Sequence, residues 1–170
     1  MSKNCSRISH ALLVLCAAFF LSCDRPPAPA ATVQMEQADA ELLRIAENAR
    51  RTLPIFFQRL ARADSRDHSF YIKHPFAADE DSGIAMEQLW LGDIRFRDGV
   101  YIGVLASNPV YISGKRKGDT VVLDVDTITD WMFVRDGVIA GGRSIRHLLE
   151  RIPENQRTDR QQQLLSMFER

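Results

Sequence analysis

The run Asp130-Trp131-Met132-Phe133-Val134-Arg135-Asp136-Gly137-Val138-Ile139-Ala140-Gly141-Gly142-Arg143-Ser144-Ile145 contains a strand, a turn, a second extended piece and the start of a helix. Asp130 to Val134 is β-branched and aromatic, which fits a half-buried strand. Asp136-Gly137 then stands between apolar strands, where a two-residue type I′ turn needs positive φ at both positions. Beyond Gly141-Gly142 the apolar residues Ile145, Leu148, Leu149 and Ile152 recur at helical spacing. Ser144 is the expected N-cap of that helix.

Upstream, Arg97-Asp98-Gly99-Val100 repeats the same turn chemistry and predicts a second antiparallel hairpin. Strand-like runs cover Phe70 to Lys73, Gln88 to Phe96, Val100 to Leu105 and Thr120 to Val125. Before them, Leu42, Ile45, Ala46, Ala49, Leu53, Phe56, Phe57 and Leu60 fall three and four apart, one apolar face of a helix. Pro54 interrupts it, predicting a kink or a new helix capped at Thr52. Pro153 ends the later helix or begins another, and Leu164, Leu165 and Phe168 dock a last polar helix. The expected fold class is α+β: an antiparallel β-meander of five to seven strands flanked by an N-terminal helix and C-terminal helices.

The first residues read as an address. Lys3 and Arg7 precede an apolar run from Ala11 to Leu21, too short to cross a bilayer but the length of a signal-peptide core. Phe20-Leu21-Ser22-Cys23 has the form of a bacterial lipobox, which makes Cys23 the lipidation site and the first mature residue. Ala28-Pro29-Ala30 satisfies the rule for ordinary signal cleavage and is the rival, but the apolar run stops directly at Ser22-Cys23. Asp24 leaves inner against outer membrane open. The expected organisation is a signal peptide over 1–22, a lipidated Cys and Pro/Ala-rich tether over 23–38, and one globular domain over 39–170. This places a lipoprotein at the bacterial cell envelope facing the periplasm, with a secreted soluble form as the alternative.

Cys5, Cys16 and Cys23 all precede the domain, so nothing in 39–170 can form a disulfide, a thiolate zinc site or a thiol nucleophile. Removing residues 1–22 leaves 20 basic against 22 acidic residues, a charge near −2 that gives no sign of nucleic acid binding.

Leu89-Trp90-Leu91-Gly92-Asp93-Ile94, Gly118-Asp119-Thr120-Val121, Ile128 to Gly137 and Gly141-Gly142-Arg143-Ser144-Ile145-Arg146 together resemble the YegJ-like domain-of-unknown-function family numbered 2314. Ala49-Arg50-Arg51-Thr52-Leu53-Pro54 with Phe56-Phe57 fits the start of that family, and Gly142-Arg143-Ser144 is a small departure. The resemblance implies the fold and a bacterial source, and no activity.

Each candidate site has an ordinary counterpart. Asp130 and Trp131 could line a groove, but Asp130 is expected to bond backbone amides and Trp131 to close one end of the sheet. Gly141 to Ser144 with Arg143 and Arg146 has the parts of an anion site at a helix start, against two glycines that simply turn a strand into a helix. Lys115-Arg116-Lys117 is a basic loop able to touch anionic lipid, or a solvated turn. His68, His74 and His147 lack metal-ligand spacing, and Asp79-Glu80-Asp81 lacks the pattern of a dedicated calcium loop. No cofactor or metal is implied. The leading expectation is a non-enzymatic binding module on a membrane tether, with lipid at its anchor and a protein partner in the envelope. The rival is a hydrolase-like enzyme using Asp93, Asp130 and His147, with Asp93 also a candidate ligand-binding residue. Oligomeric state is not encoded legibly.

Overall fold

The computed structural model describes residues 40–169. The expected signal peptide, Cys23 and the tether lie outside the described residues. Helix α1 (Ala40–Arg62) is followed by strands β1 (Asp67–Ala77), β2 (Met86–Arg97), β3 (Val100–Leu105), β4 (Thr120–Val122), β5 (Asp130–Arg135) and β6 (Val138–Gly141), then helices α2 (Arg143–Glu150) and α3 (Asp159–Ser166). The strands make one antiparallel sheet in the order β4-β3-β2-β1-β5-β6. The meander runs through β1 to β4. Residues 123–129 then carry the chain back so that the β5-β6 hairpin adds to the free side of β1.

Both Asp-Gly turns are present. Asp98 and Gly99 have φ of 52° and 84°, Asp136 and Gly137 of 50° and 80°, and the residues flanking each pair face one another in register. Positive φ at both positions matches the right-handed twist of the strands they join.

Helix α1 buries Leu42, Ile45, Ala46, Ala49, Leu53 and Phe56, the face predicted by spacing. It runs without a break through Pro54, instead of restarting at Thr52. Its large buried side chains each contribute about 1.5–3 kcal/mol, which together exceed the roughly 3 kcal/mol of an interior proline. Neighbouring groups also engage the backbone one turn earlier: Thr52 Oγ1 donates to the Asn48 carbonyl at 2.7 Å, and Trp131 Nε1 donates to the Ala49 carbonyl at 3.2 Å and to Thr52 Oγ1 at 3.1 Å.

Residues opposite one another across the sheet share a face, so the register assigns the two layers. Ile72, Leu91, Leu105 and Trp131 form one row under α1, in a core with Leu53, Phe56 and Phe133. The opposite face carries Met132, Val134 and Ile139, which pack with Leu149, Ile152, Leu164 and Phe168 from the C-terminal helices. Residues 167–169 close the outer edge of β6: Ile139 N donates to the Met167 carbonyl at 2.7 Å, and Glu169 N to the Ile139 carbonyl at 3.3 Å.

Candidate functional site

The predicted site residues divide by strand register. Lys73 on β1 stands opposite both Trp90 on β2 and Asp130 on β5, so these three form one row on the face that α2 covers. Asp130 is 2% exposed, and an unpaired carboxylate there would be costly. Both its oxygens are committed: Oδ1 accepts the Trp131 amide at 2.8 Å, and Oδ2 accepts the Ser144 amide at 2.7 Å. Lys73 Nζ donates to Ser144 Oγ at 3.2 Å and lies 5.8 Å from the centre of the Trp90 ring. A buried serine thus bridges a lysine and an aspartate.

Burial pushes the Asp130 carboxyl above its ordinary range, opposed by hydrogen bonds from Ser144 and Trp131 and by the charge of Lys73. Burial also lowers Lys73, with Asp130 pulling it back. Each charge is thus disfavoured by its surroundings and favoured by its partner.

Ser144 is not the N-cap of α2. That position belongs to Gly142, at φ 62° and without a side chain to cap. The missing acceptor comes from Asp130 on β5, which bonds an otherwise orphaned first-turn amide. Gly141, at φ 77°, brings the chain so close to β5 that an added Cβ would collide with the Trp131 carbonyl oxygen. That carbonyl accepts the Gly142 amide at 2.8 Å.

Arg143, Arg146, His147 and Glu150 lie at i, i+3, i+4 and i+7 on α2, and this stripe lines a cleft of about 410 Å³. The far wall is Glu41 and Ile45 of α1 with Glu169, and Ile139, Gly141 and Phe168 complete the lining. Arg146 is fixed, donating from Nε to Glu150 at 2.8 Å and from Nη1 to the Glu169 carbonyl at 2.8 Å. Glu41 pairs with Arg44 within its own helix. Arg143 is exposed and forms no ion pair with the described residues.

The structure therefore brings Asp130, Trp131 and Ser144 together, and sets Arg143, Arg146 and His147 in the adjoining cleft. Asp93 stands apart. It occupies the bulge of β2, φ 49°, with its exposed carboxylate bound by Arg95 at 3.0 and 2.7 Å. Strand β1 separates it from β5, so Asp93, Asp130 and His147 do not form one cluster.

Lys73 and Trp90 carry no site signal in the sequence, because only the pairing of β1 with two different strands places them beside Asp130. His74, which lacks metal-ligand spacing in the sequence, has a structural place in the fold. It is buried, and its Nε2 receives the Asp124 amide at 3.3 Å and lies 3.1 Å from Thr127 Oγ1. Nδ1 makes no well-formed hydrogen bond. Burial lowers the ring's pKa, against weaker opposing effects of the Pro75 backbone and Asp124. Asp79, in the acidic loop, accepts the Ser113 amide at 2.8 Å, and in the basic loop Lys117 N donates to Asn108 at 2.8 Å. No group of three His, Cys, Asp or Glu residues suited to a metal occurs among the described residues. None of their helices is long and apolar enough to cross a membrane.

A six-stranded antiparallel sheet with a helix on one face and two C-terminal helices on the other defines a small α+β domain. The chain belongs to the family described as "Uncharacterized protein conserved in bacteria (DUF2314)", whose model matches residues 39–165. It is 37% identical over 130 residues to a putative ankyrin repeat protein of Neisseria meningitidis serogroup B, covering 74% of this chain and 51% of that protein. It is 28% identical over 110 residues to the uncharacterized protein YegJ of Escherichia coli K12, covering 65% of this chain and 68% of that one. The chain thus spans about half the length of the meningococcal relative. No solved structure matches it.

Proposed function

We propose that this protein is a non-enzymatic binding module tethered to a bacterial membrane through Cys23, and that it binds its partner in the cleft along α2. The observation that carries the reading is the contrast between Asp130 and Arg143. Asp130 is buried and holds two backbone amides, which leaves it poorly placed to exchange protons with a substrate. Arg143 projects from a rigid helix start beside a cleft of ligand size and is uncommitted among the described residues.

Two measurements test this. Membrane fractionation should find the wild type with the membranes and Cys23→Ser as unprocessed precursor or soluble protein. A soluble wild type with its mature terminus at Ala31 refutes the anchor. For the cleft, a bound partner stabilises the folded state by mass action. The wild type should therefore unfold at a higher temperature in intact cells than after purification, and Arg143→Glu should lose that difference while keeping the purified melting temperature. An unchanged difference in Arg143→Glu refutes the cleft as the binding surface.

A further inference from the structure

We infer that the ligand of the cleft is a small zwitterion, a free amino acid or short peptide, whose carboxylate meets Arg143 and whose ammonium meets Glu169; this rests on the binding reading above. The argument begins from the charges that are already spent. Arg146 and Glu150 neutralise each other at 2.8 Å, and Glu41 is paired within α1. That leaves one uncommitted cation, Arg143, and one uncommitted anion, Glu169, among the described charges lining the cleft.

The two are supported differently from a pair of mobile surface side chains. Arg143 opens α2, whose position is set by the buried Asp130 bond to Ser144. The Glu169 backbone is held by Arg146 and by Ile139, although its carboxylate stays exposed. A simple anion would gain from Arg143 and be repelled by Glu169, and a simple cation the reverse. A molecule with both charges gains from each, through charge-assisted hydrogen bonds. The remaining lining includes the outer parts of Ile139 and Phe168, both largely buried, which offer a small apolar surface to a ligand side chain. The volume, about 410 Å³, lies within the range of small-ligand sites.

Calorimetric titration of the purified full-length protein with L-leucine, the dipeptide Leu-Leu, leucinamide and N-acetyl-leucine tests the inference. Leucine or Leu-Leu should bind saturably. Leucinamide and N-acetyl-leucine, each lacking one charge, should bind at least about 10-fold more weakly, the scale of one charge-assisted hydrogen bond. Arg143→Gln should lose the preference for a free carboxylate, and Glu169→Gln the preference for a free amine. Equal binding of all four compounds overturns the inference, as does no saturable binding of leucine or Leu-Leu up to about 10 mM. If the in-cell stability difference persists while no zwitterion binds, the ligand class is wrong and the binding reading stands. If both fail, both fall.

Discussion

Asp130 Oδ2 accepts the Ser144 amide at 2.7 Å, so the first residue of β5 caps a helix that begins beyond the β5-β6 hairpin. Asp130→Asn keeps the shape but offers one acceptor in place of two and leaves Lys73 without its counter-charge. Hydrogen bonds to charged groups are worth roughly 1.5–3 kcal/mol, so a loss of about 2–4 kcal/mol is expected in urea unfolding. Amide exchange in the first turn of α2 should quicken more than in α1. A change below about 0.5 kcal/mol would mean that the cap contributes no more than an ordinary surface substitution.

Glycine substitutions should rank by what a Cβ meets. At Gly137 and Gly99 an added Cβ has nothing within 4 Å, so only the positive φ opposes it. Gly137→Val and Gly99→Val should each cost about 1–2 kcal/mol. Gly141→Ala meets both the positive φ and a collision with the Trp131 carbonyl oxygen, and should cost well over the roughly 3 kcal/mol upper range of backbone strain alone. Denaturant midpoints give the order directly. Gly141→Ala as stable as Gly137→Val would refute the close approach of β5 and β6.

His74 should make the domain sensitive to acid. Its folded pKa lies below the ordinary 6.5. Between those values the unfolded chain holds a proton that the folded chain refuses, so stability rises with pH across that window and is lost as pH falls through it. Asp130 acts in the opposite sense, because its folded pKa lies above 3.8 and protonation there favours the folded state. His74→Gln removes the first effect alone. Unfolding curves measured between about pH 7 and pH 5 should show the wild type losing stability that the variant does not. Parallel curves would show that His74 does not set the acid response.

The indole of Trp131 ties β5 to α1, and a double-mutant cycle can isolate that link. Trp131→Phe and Thr52→Val each remove one side of the bond at 3.1 Å. Their coupling energy should be about 0.5–1.5 kcal/mol, the net worth of a typical hydrogen bond. Additive effects would leave the role of Trp131 to its bond with the Ala49 carbonyl and to packing against Phe56 and Phe133.

What the sequence made legible was local. The Asp-Gly turns and the buried face of α1 depend on neighbours within a few residues, and both appear as the spacing predicts. Strand β1 is longer than its Phe70 to Lys73 kernel, because the bulge at Ser69 and the proline at 75 disguise its ends. Pro75 is tolerated because β5 pairs with β1 only as far as Lys73 on that side, so its missing N–H removes no bond to β5. The N-cap of α2 is Gly142 and not the expected Ser144, because the acceptor for its first turn comes from another strand. Likewise the row Asp130, Lys73 and Trp90 exists only once β1 lies between β2 and β5, a pairing that residue spacing does not encode.

Met167 and Glu169 complete the outer edge of β6, so the hairpin that carries Trp131 is sealed by residues that lie beyond two further helices. Until those residues arrive, Ile139 offers an unpaired N–H and C=O to any extended chain nearby, including another copy of itself. Long-range closures of this kind also form slowly, since loop entropy must be overcome before the contact rewards it. Loss of residues 167–169 would leave that edge open permanently, so a clipped C-terminal segment would expose the domain to strand exchange and aggregation.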